Sequence, residues 1–190
     1  MHYLADGLRV GEFRGKGGRG VFAARRFERG ELLCAFGGII MTTEELRRLT
    51  REEQFYGLQI ENDLHLVTPR DSVAGADFIN HSCAPNAELS GASNLVAQRR
   101  IEPGEEICFD YAMSDSHDLM CFDCECGAPN CRKLVSADDW RRPDLQRRYR
   151  NSFSPYLRRR IAAETSARRL AQAPHQRGAE LHQDRGPLLD

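Results

Sequence analysis

Lysine is nearly missing from this chain. Lys16 and Lys133 are the only two among 27 basic residues, and the rest are arginine. No apolar run approaches the ~18 residues that a membrane-crossing helix needs, so no membrane partner is expected. The opening MHYLADGLRVGEF carries no apolar stretch of signal-peptide length, which leads us to expect a soluble protein in a reducing compartment. No internal repeat is present. The glycine-rich GKGGRG (15–20) fits neither common phosphate-binding glycine pattern and opens no helix, which argues against a nucleotide-phosphate loop. Disulfides are not expected either. The cysteine count is odd, at seven, and four of them crowd between 121 and 131, a distribution that suits metal binding.

What is present fits one domain with an appendage. The chain has 190 residues, with 41% hydrophobic and 29% charged, enough for a core but with part of the chain solvated. The net charge of −1 hides an asymmetry. Residues 141–190 hold twelve arginines against five acids, a net +7, which leaves −8 over the first 140. An acidic body suits a basic substrate. A basic end suits an acidic partner such as nucleic acid, or is simply a solvated helical face.

From residue 8 to 41 the pattern is of short strands broken by glycine: LRVGEF, RGVFAA and ELLCAFGGIIM. TTEELRRLTREE reads as a helix, with Thr42 as cap and Glu45 completing a capping box. FYGLQIEN and LHLVTP read as strands joined at Asn62-Asp63. SNLVAQRRI and EEICFDYA read as a further strand pair turning at Pro103-Gly104. Beyond Ser136 the chain turns helical, with Pro143 at one helix start and Ser154-Pro155 at another. Past Ala173 no period remains, and a flexible tail is expected over 173–190. The expected organisation is a mainly β body over 1–116, a cysteine segment over 117–135, a helical extension over 136–172 and that tail.

Two stretches carry chemistry. MCFDCECGAPNCRK sets Cys124, Cys126 and Cys131 at the short spacings that wrap a tetrahedral zinc ion. The polar flanks are unlike those of buried free thiols. Spacing alone favours Cys121 as the fourth ligand, and Cys83 would need the fold to bring it 41 residues closer. FINHSCAPN (78–86) aligns Asn80, His81, Ser82 and Cys83. It could be a nucleophile with its base, half a metal site, or a polar turn. Adjacency in sequence does not supply the geometry of a Ser/Cys–His pair, and no nucleophile-elbow pattern surrounds it.

GRGVFA (18–23), FGG (36–38), FINHSCAPN (78–86) and GEEICFDYA (104–112), followed by the cysteine triplet, together closely resemble the SET-domain protein-lysine methyltransferases with a post-SET zinc segment. The match spans about residues 8–135. The arginine skew and compact build lean towards a bacterial member. That would place the protein in the cytoplasm, and a eukaryotic source would place it in the nucleus or cytoplasm.

The resemblance implies a SET-domain fold of small curved sheets with knot-like threading, a rarity among proteins, and S-adenosyl-L-methionine as methyl donor. It implies donor contacts from Gly18, Arg19, Gly20, Asn80, His81, Tyr111 and Leu134. The zinc would sit on Cys83, Cys124, Cys126 and Cys131, with Cys83 displacing Cys121. The catalytic tyrosine would be Tyr111, with Tyr56 as the candidate second, and Phe109 and Tyr56 would line the substrate channel. A phenylalanine at 109 leaves room for two or three methyl groups on the lysine. The expected partner is a protein offering a lysine in a basic segment, with nucleic acid as a further partner for the arginine-rich end. The alternative is a SET fold without activity that binds protein or nucleic acid.

Overall fold

In the computed structural model the described residues are 2–12 and 18–172. The expected tail and the first half of the GKGGRG turn lie outside them. The first strands are β1 (Tyr3–Leu4), β2 (Leu8–Glu12), β3 (Arg19–Ala23), β4 (Leu32–Ala35) and β5 (Ile39–Thr42). Next come two short helices, α1 (Thr43–Arg47) and α2 (Arg51–Gln54), then β6 (Gly57–Glu61) and β7 (Leu64–Val67). The central strands are β8 (Asn80–His81), β9 (Ala87–Ser90), β10 (Asn94–Ala97) and β11 (Cys108–Phe109). The chain closes with β12 (Cys121–Asp123), β13 (Leu134–Ser136), α3 (Pro143–Tyr149) and α4 (Pro155–Gln172).

The strands form small separate sheets. The largest has the order β1-β4-β10-β9, a second has the order β5-β7-β6, and β2-β3, β8-β11 and β12-β13 are two-stranded. Among the described residues only β8 and β11 run parallel, with Asn80 beside Cys108 and His81 beside Phe109. The expected pairing of SNLVAQRRI with EEICFDYA is not found: β10 lies between β4 and β9, and β11 pairs with β8. Partner choice here is set by distant segments, which local alternation does not encode.

The helix expected over 42–53 is two helices. Thr42 and Glu45 form the expected capping box, and Thr50 and Glu53 form a second one, which restarts the chain as α2. Each box satisfies backbone donors that a helix start leaves bare. Pro143 begins α3 as expected. Ser154 does not cap α4 through its hydroxyl, which is buried without a hydrogen-bond partner among the described residues.

Gly38, at the end of the FGG motif, has φ +150°, and a Cβ there would stand 2.5 Å from the Val67 carbonyl oxygen. Only glycine lets β5 and β7 approach so closely. Val21, Phe27, Leu33, Leu95, Ile101 and Ile107 are fully buried in the main core. Trp140, Tyr149, Phe153, Tyr156 and Leu157 belong to the same cluster, so residues beyond the cysteine segment supply some of its largest side chains.

Candidate functional site

The parallel pairing of β8 with β11 lays FINHSCAPN along the strand that leads into FDY. Asn86 fixes the register: its Nδ2 donates to the Glu106 carbonyl (2.8 Å), and its Oδ1 accepts from the Cys108 N–H (2.9 Å). Asn80 donates from Nδ2 to the Arg19 carbonyl and to Glu106 Oε1, both at 2.8 Å. It thus ties the glycine turn to the two paired strands. A Cβ on Gly20 would come within 3.0 Å of that same Glu106 oxygen, so any larger residue there would have to push the Glu106 side chain aside. Gly18 has φ +82° and open space around it.

His81 is buried between two functions. Its Nδ1 accepts from the Tyr111 N–H at 3.3 Å and lies 3.6 Å from Asp110 Oδ1. That leaves Nε2, which faces Cys83 Sγ at 3.3 Å, as the N–H side of the ring.

Cys83, Cys124, Cys126 and Cys131 converge, with all four sulfurs within 4.8 Å of one another. The Cys83 and Cys124 sulfurs are 3.9 Å apart. Zinc–thiolate bonds of ~2.3 Å set tetrahedral S···S edges close to that spacing, so the donor set fits zinc. The turn over Gly127, at φ +73°, brings Cys131 back to the other three. The N–H of Arg132 points at Cys83 Sγ and that of Cys83 at Cys126 Sγ, at 3.4 and 3.5 Å. Burial pushes the Cys83 and Cys124 thiols up. Burial also works against Cys126, but the N–H groups of Cys83 and Ala128 bring it down to about 6. Four thiolates this close need a cation between them. Cys121, the ligand favoured by spacing, is exposed on β12 and lies outside this group.

A network missed by sequence reasoning joins the cysteine loop to FDY. The Arg132 guanidinium grips Asp110 with two hydrogen bonds, of 2.6 and 2.8 Å, and reaches Asp139 Oδ2 at 2.9 Å. Tyr149 on α3 donates to Asp110 Oδ2 at 2.7 Å. Burial opposes the Asp110 charge, but the Arg132 guanidinium, helped by Tyr149, outweighs it and holds the carboxyl below the usual range. The Cys83 carbonyl accepts from Asn130 Nδ2 (2.7 Å) and Arg148 Nη1 (3.0 Å). The clue in the sequence was an arginine directly after the last ligand cysteine and an acid directly before Tyr111.

Two cavities meet beside this junction. The larger, about 420 Å³, is lined by Arg19, Phe78, Asn80, His81, Tyr111 and Phe122 together with the 123–126 loop. It has the size of a small-molecule site. The smaller, about 40 Å³, is a slot among Phe36, Tyr56, Phe109, Tyr111, Asp115 and Met120. Tyr56 and Tyr111 line both. The Tyr111 hydroxyl donates to the Ile79 carbonyl at 3.0 Å, and its ring packs against those of Phe109, His81 and Phe122. Burial, reinforced by the nearby Asp115 carboxyl, pushes the Tyr111 phenol well up. Leu134 stands half exposed on β13 opposite Asp123 and does not line the larger cavity. Phe78, under the Arg19 guanidinium at 4.0 Å, and Phe122 form the aromatic walls there.

Comparison with known proteins gives this arrangement a family. The family model described as the SET domain matches residues 18–112, half of the chain. Histone-lysine N-methyltransferase 2D of Homo sapiens is 34% identical over 131 residues, covering 63% of this chain and 2% of that one. Histone-lysine N-methyltransferase Su(var)3-9 of Drosophila melanogaster is 32% identical over 146 residues, covering 62% and 23%. The chain thus spans only a small part of these relatives. Among solved structures, KRYPTONITE in complex with mCHH DNA, H3(1-15) peptide and SAH superposes with a TM-score of 0.54 at 26% identity, over 69% of this chain and 30% of that one. The motif strands, the cysteine cluster beside them and the matched residues agree: this chain belongs to the SET-domain family.

Proposed function

We infer that this protein is an S-adenosyl-L-methionine-dependent protein-lysine N-methyltransferase. The observation that carries this reading is the meeting of a ligand-sized cavity and a narrow slot at Tyr56 and Tyr111. When bound, the donor supplies a methyl group on a positively charged sulfur. Arg19, Asn80 and His81 would hold it in the larger cavity between Phe78 and Phe122. Cys83, Cys124, Cys126 and Cys131 would hold zinc, which pins the 123–126 wall of that cavity onto the β8 strand. SAH in the KRYPTONITE structure supports the choice of donor.

The slot, about 40 Å³, is much smaller than the donor-sized cavity beside it. Burial among Phe36, Phe109 and Met120 disfavours an ammonium, whose pKa is about 10.4 in water, and so favours the neutral amine that can attack. Tyr111 stays a neutral phenol, so it orients the amine by hydrogen bonding and does not act as a base. Tyr56, just past the end of α2, lines the slot with it. Phe109, buried beside Tyr111, leaves space for a second and third methyl group. Mass spectrometry of product should show di- or trimethyl-lysine, and Phe109→Tyr should shift the product towards monomethyl-lysine.

The acidic body suits a lysine in a basic segment of a protein, a class to which the H3 peptide bound by KRYPTONITE belongs. Peptide binding should weaken as salt rises. The same neighbour binds DNA, and the arginine-rich end here is the segment suited to nucleic acid. The deciding experiment is calorimetry with S-adenosylhomocysteine, paired with transfer of labelled methyl groups to a protein mixture. Binding with transfer is the expected result. Binding without transfer would mark an inactive interaction module, and absence of binding would overturn the reading.

A further inference from the structure

Asp115 is a buried carboxyl with no permanent cation among the described residues. It lines the narrow slot with Tyr56, Phe109 and Tyr111, and its side chain is 3% exposed. Its own loop and β6 hold it in place: Ser114 Oγ donates to Oδ2 at 2.7 Å, and the Gln59 N–H lies 3.3 Å from Oδ1. From α4, Tyr156 donates to the Ser114 carbonyl, and Arg160 is engaged by Ser116 Oγ at 2.6 Å. His117 Nε2, 3.8 Å from Oδ1, is the one basic atom within ion-pair distance among the described residues. Its ring stands edge-on to His65 on β7, and both imidazoles are buried with Nδ1 unpartnered among the described residues. Burial lowers both to about 4, so at pH 7 neither is charged. Asp77 and His2 line the same slot but pair with each other at 2.9 Å. Burial raises Asp115 itself to about 7.

We propose that Asp115 is the proton acceptor for the substrate ammonium. As the lysine side chain enters the slot, one N–H bond of the ammonium breaks and an O–H bond forms on Asp115, leaving a neutral amine and a neutral carboxylic acid. Away from bulk water that neutral pair is favoured over an ion pair, because neither partner then carries a poorly solvated charge. The amine takes the methyl group and becomes a cation again. The proton stays on Asp115 until the slot refills with water and accepts it. Each further methylation of the same lysine needs Asp115 to lose its proton first.

The inference rests on the methyltransferase reading, and its test is built to separate the two. The probe is n-butylamine, which matches the lysine side chain, measured by calorimetry in buffers of different ionisation enthalpy. Wild-type protein should release about one proton per amine bound at pH 5.5, where Asp115 is already protonated. It should release almost none at pH 8.5, where Asp115 takes the ammonium proton. Asp115→Asn should release about one proton at both pH values, and a variant that releases none would show that the slot holds the ammonium and not the neutral amine. Equal proton counts in the two proteins at pH 8.5, or no amine binding to the wild type, would overturn the proposal whatever the protein catalyses. With a histone H3 peptide as substrate, kcat of Asp115→Asn should fall about a hundredfold at pH 7. The gap should narrow as pH rises and free amine becomes available. An unchanged rate and pH profile would also overturn it. Absence of transfer by the wild type would count against the methyltransferase reading while leaving the amine result to decide the role of Asp115.

Discussion

Asp110 and Asp115 flank the same short turn, Tyr111–Met113, and both are buried, yet they are opposites. Asp110 is gripped by Arg132, touched by Tyr149 and His81, and held below the usual carboxylate range. Asp115 has hydrogen bonds from a hydroxyl and one N–H but no charged partner among the described residues, and burial raises it to about 7. Tyr111 sits between a fixed charge and a titratable one. The Asp110 side is a structural joint that carries the cysteine loop and α3. The Asp115 side is a slot where charge can change. Burial alone does not decide the state of a carboxyl, because its partners do.

The strongest way to break the joint is to remove its metal ligands. Cys83→Ser should lose bound zinc and donor binding together, with a large fall in unfolding temperature, since metal binding in small zinc modules supplies roughly 10 kcal/mol of folding energy. Cys121→Ser should change neither. Metal content by mass spectrometry and a melting curve check both, and the reverse pattern would reassign the ligand. Next comes Asp110→Asn, which leaves Arg132 with less than its full countercharge. Breaking a buried pair from one side costs about 3–5 kcal/mol, to be read in a urea titration at pH 7.

Asp115→Asn should act in the opposite direction. The folded-state value of Asp115 lies above its unfolded value of 3.8. Its favourable contribution is therefore complete below pH 3.8 and is lost as pH rises through 7. Above pH 7 the wild type carries a buried unpaired charge that the variant lacks. The variant should be more stable at pH 8 by about 2–4 kcal/mol, and the difference should shrink towards pH 4. A variant destabilised equally at both pH values would mean that Asp115 is only a structural hydrogen-bond acceptor. The smallest effect is expected for Tyr149→Phe, which removes one of several hydrogen bonds to Asp110 at about 1 kcal/mol. It should lower stability without moving the pH dependence that Asp115 sets.

The Asp110 side was the more legible in sequence. Short-range signals marked the cysteine triplet, the capping box at Thr42 and Glu45, and the turn at Asn62-Asp63. The motif resemblance singled out Cys83 over Cys121, although local spacing pointed the other way. Asp115 was not legible. It lies in SDSHD, a polar run that reads as a surface loop, and only its packing against Gln59 and Tyr156 reveals a buried acid. The pairing of β8 with β11 was equally hidden, because both strands are two residues long and their register depends on Asn86. Phe78 and Phe122 escaped notice because single aromatics beside a motif carry no period.

The position of Cys83 also dictates an order of assembly. Apart from neighbouring His81, its hydrogen-bonding and sulfur partners lie at 124, 126, 130, 132 and 148, later in the chain. The core is closed by Trp140, Tyr149 and Tyr156. A chain emerging from the ribosome would have made every strand of the matched 18–112 span and still lack what closes it. Contacts so distant in sequence form late and slowly. The unit that folds therefore runs to about residue 157, well past the boundary at which the family pattern ends.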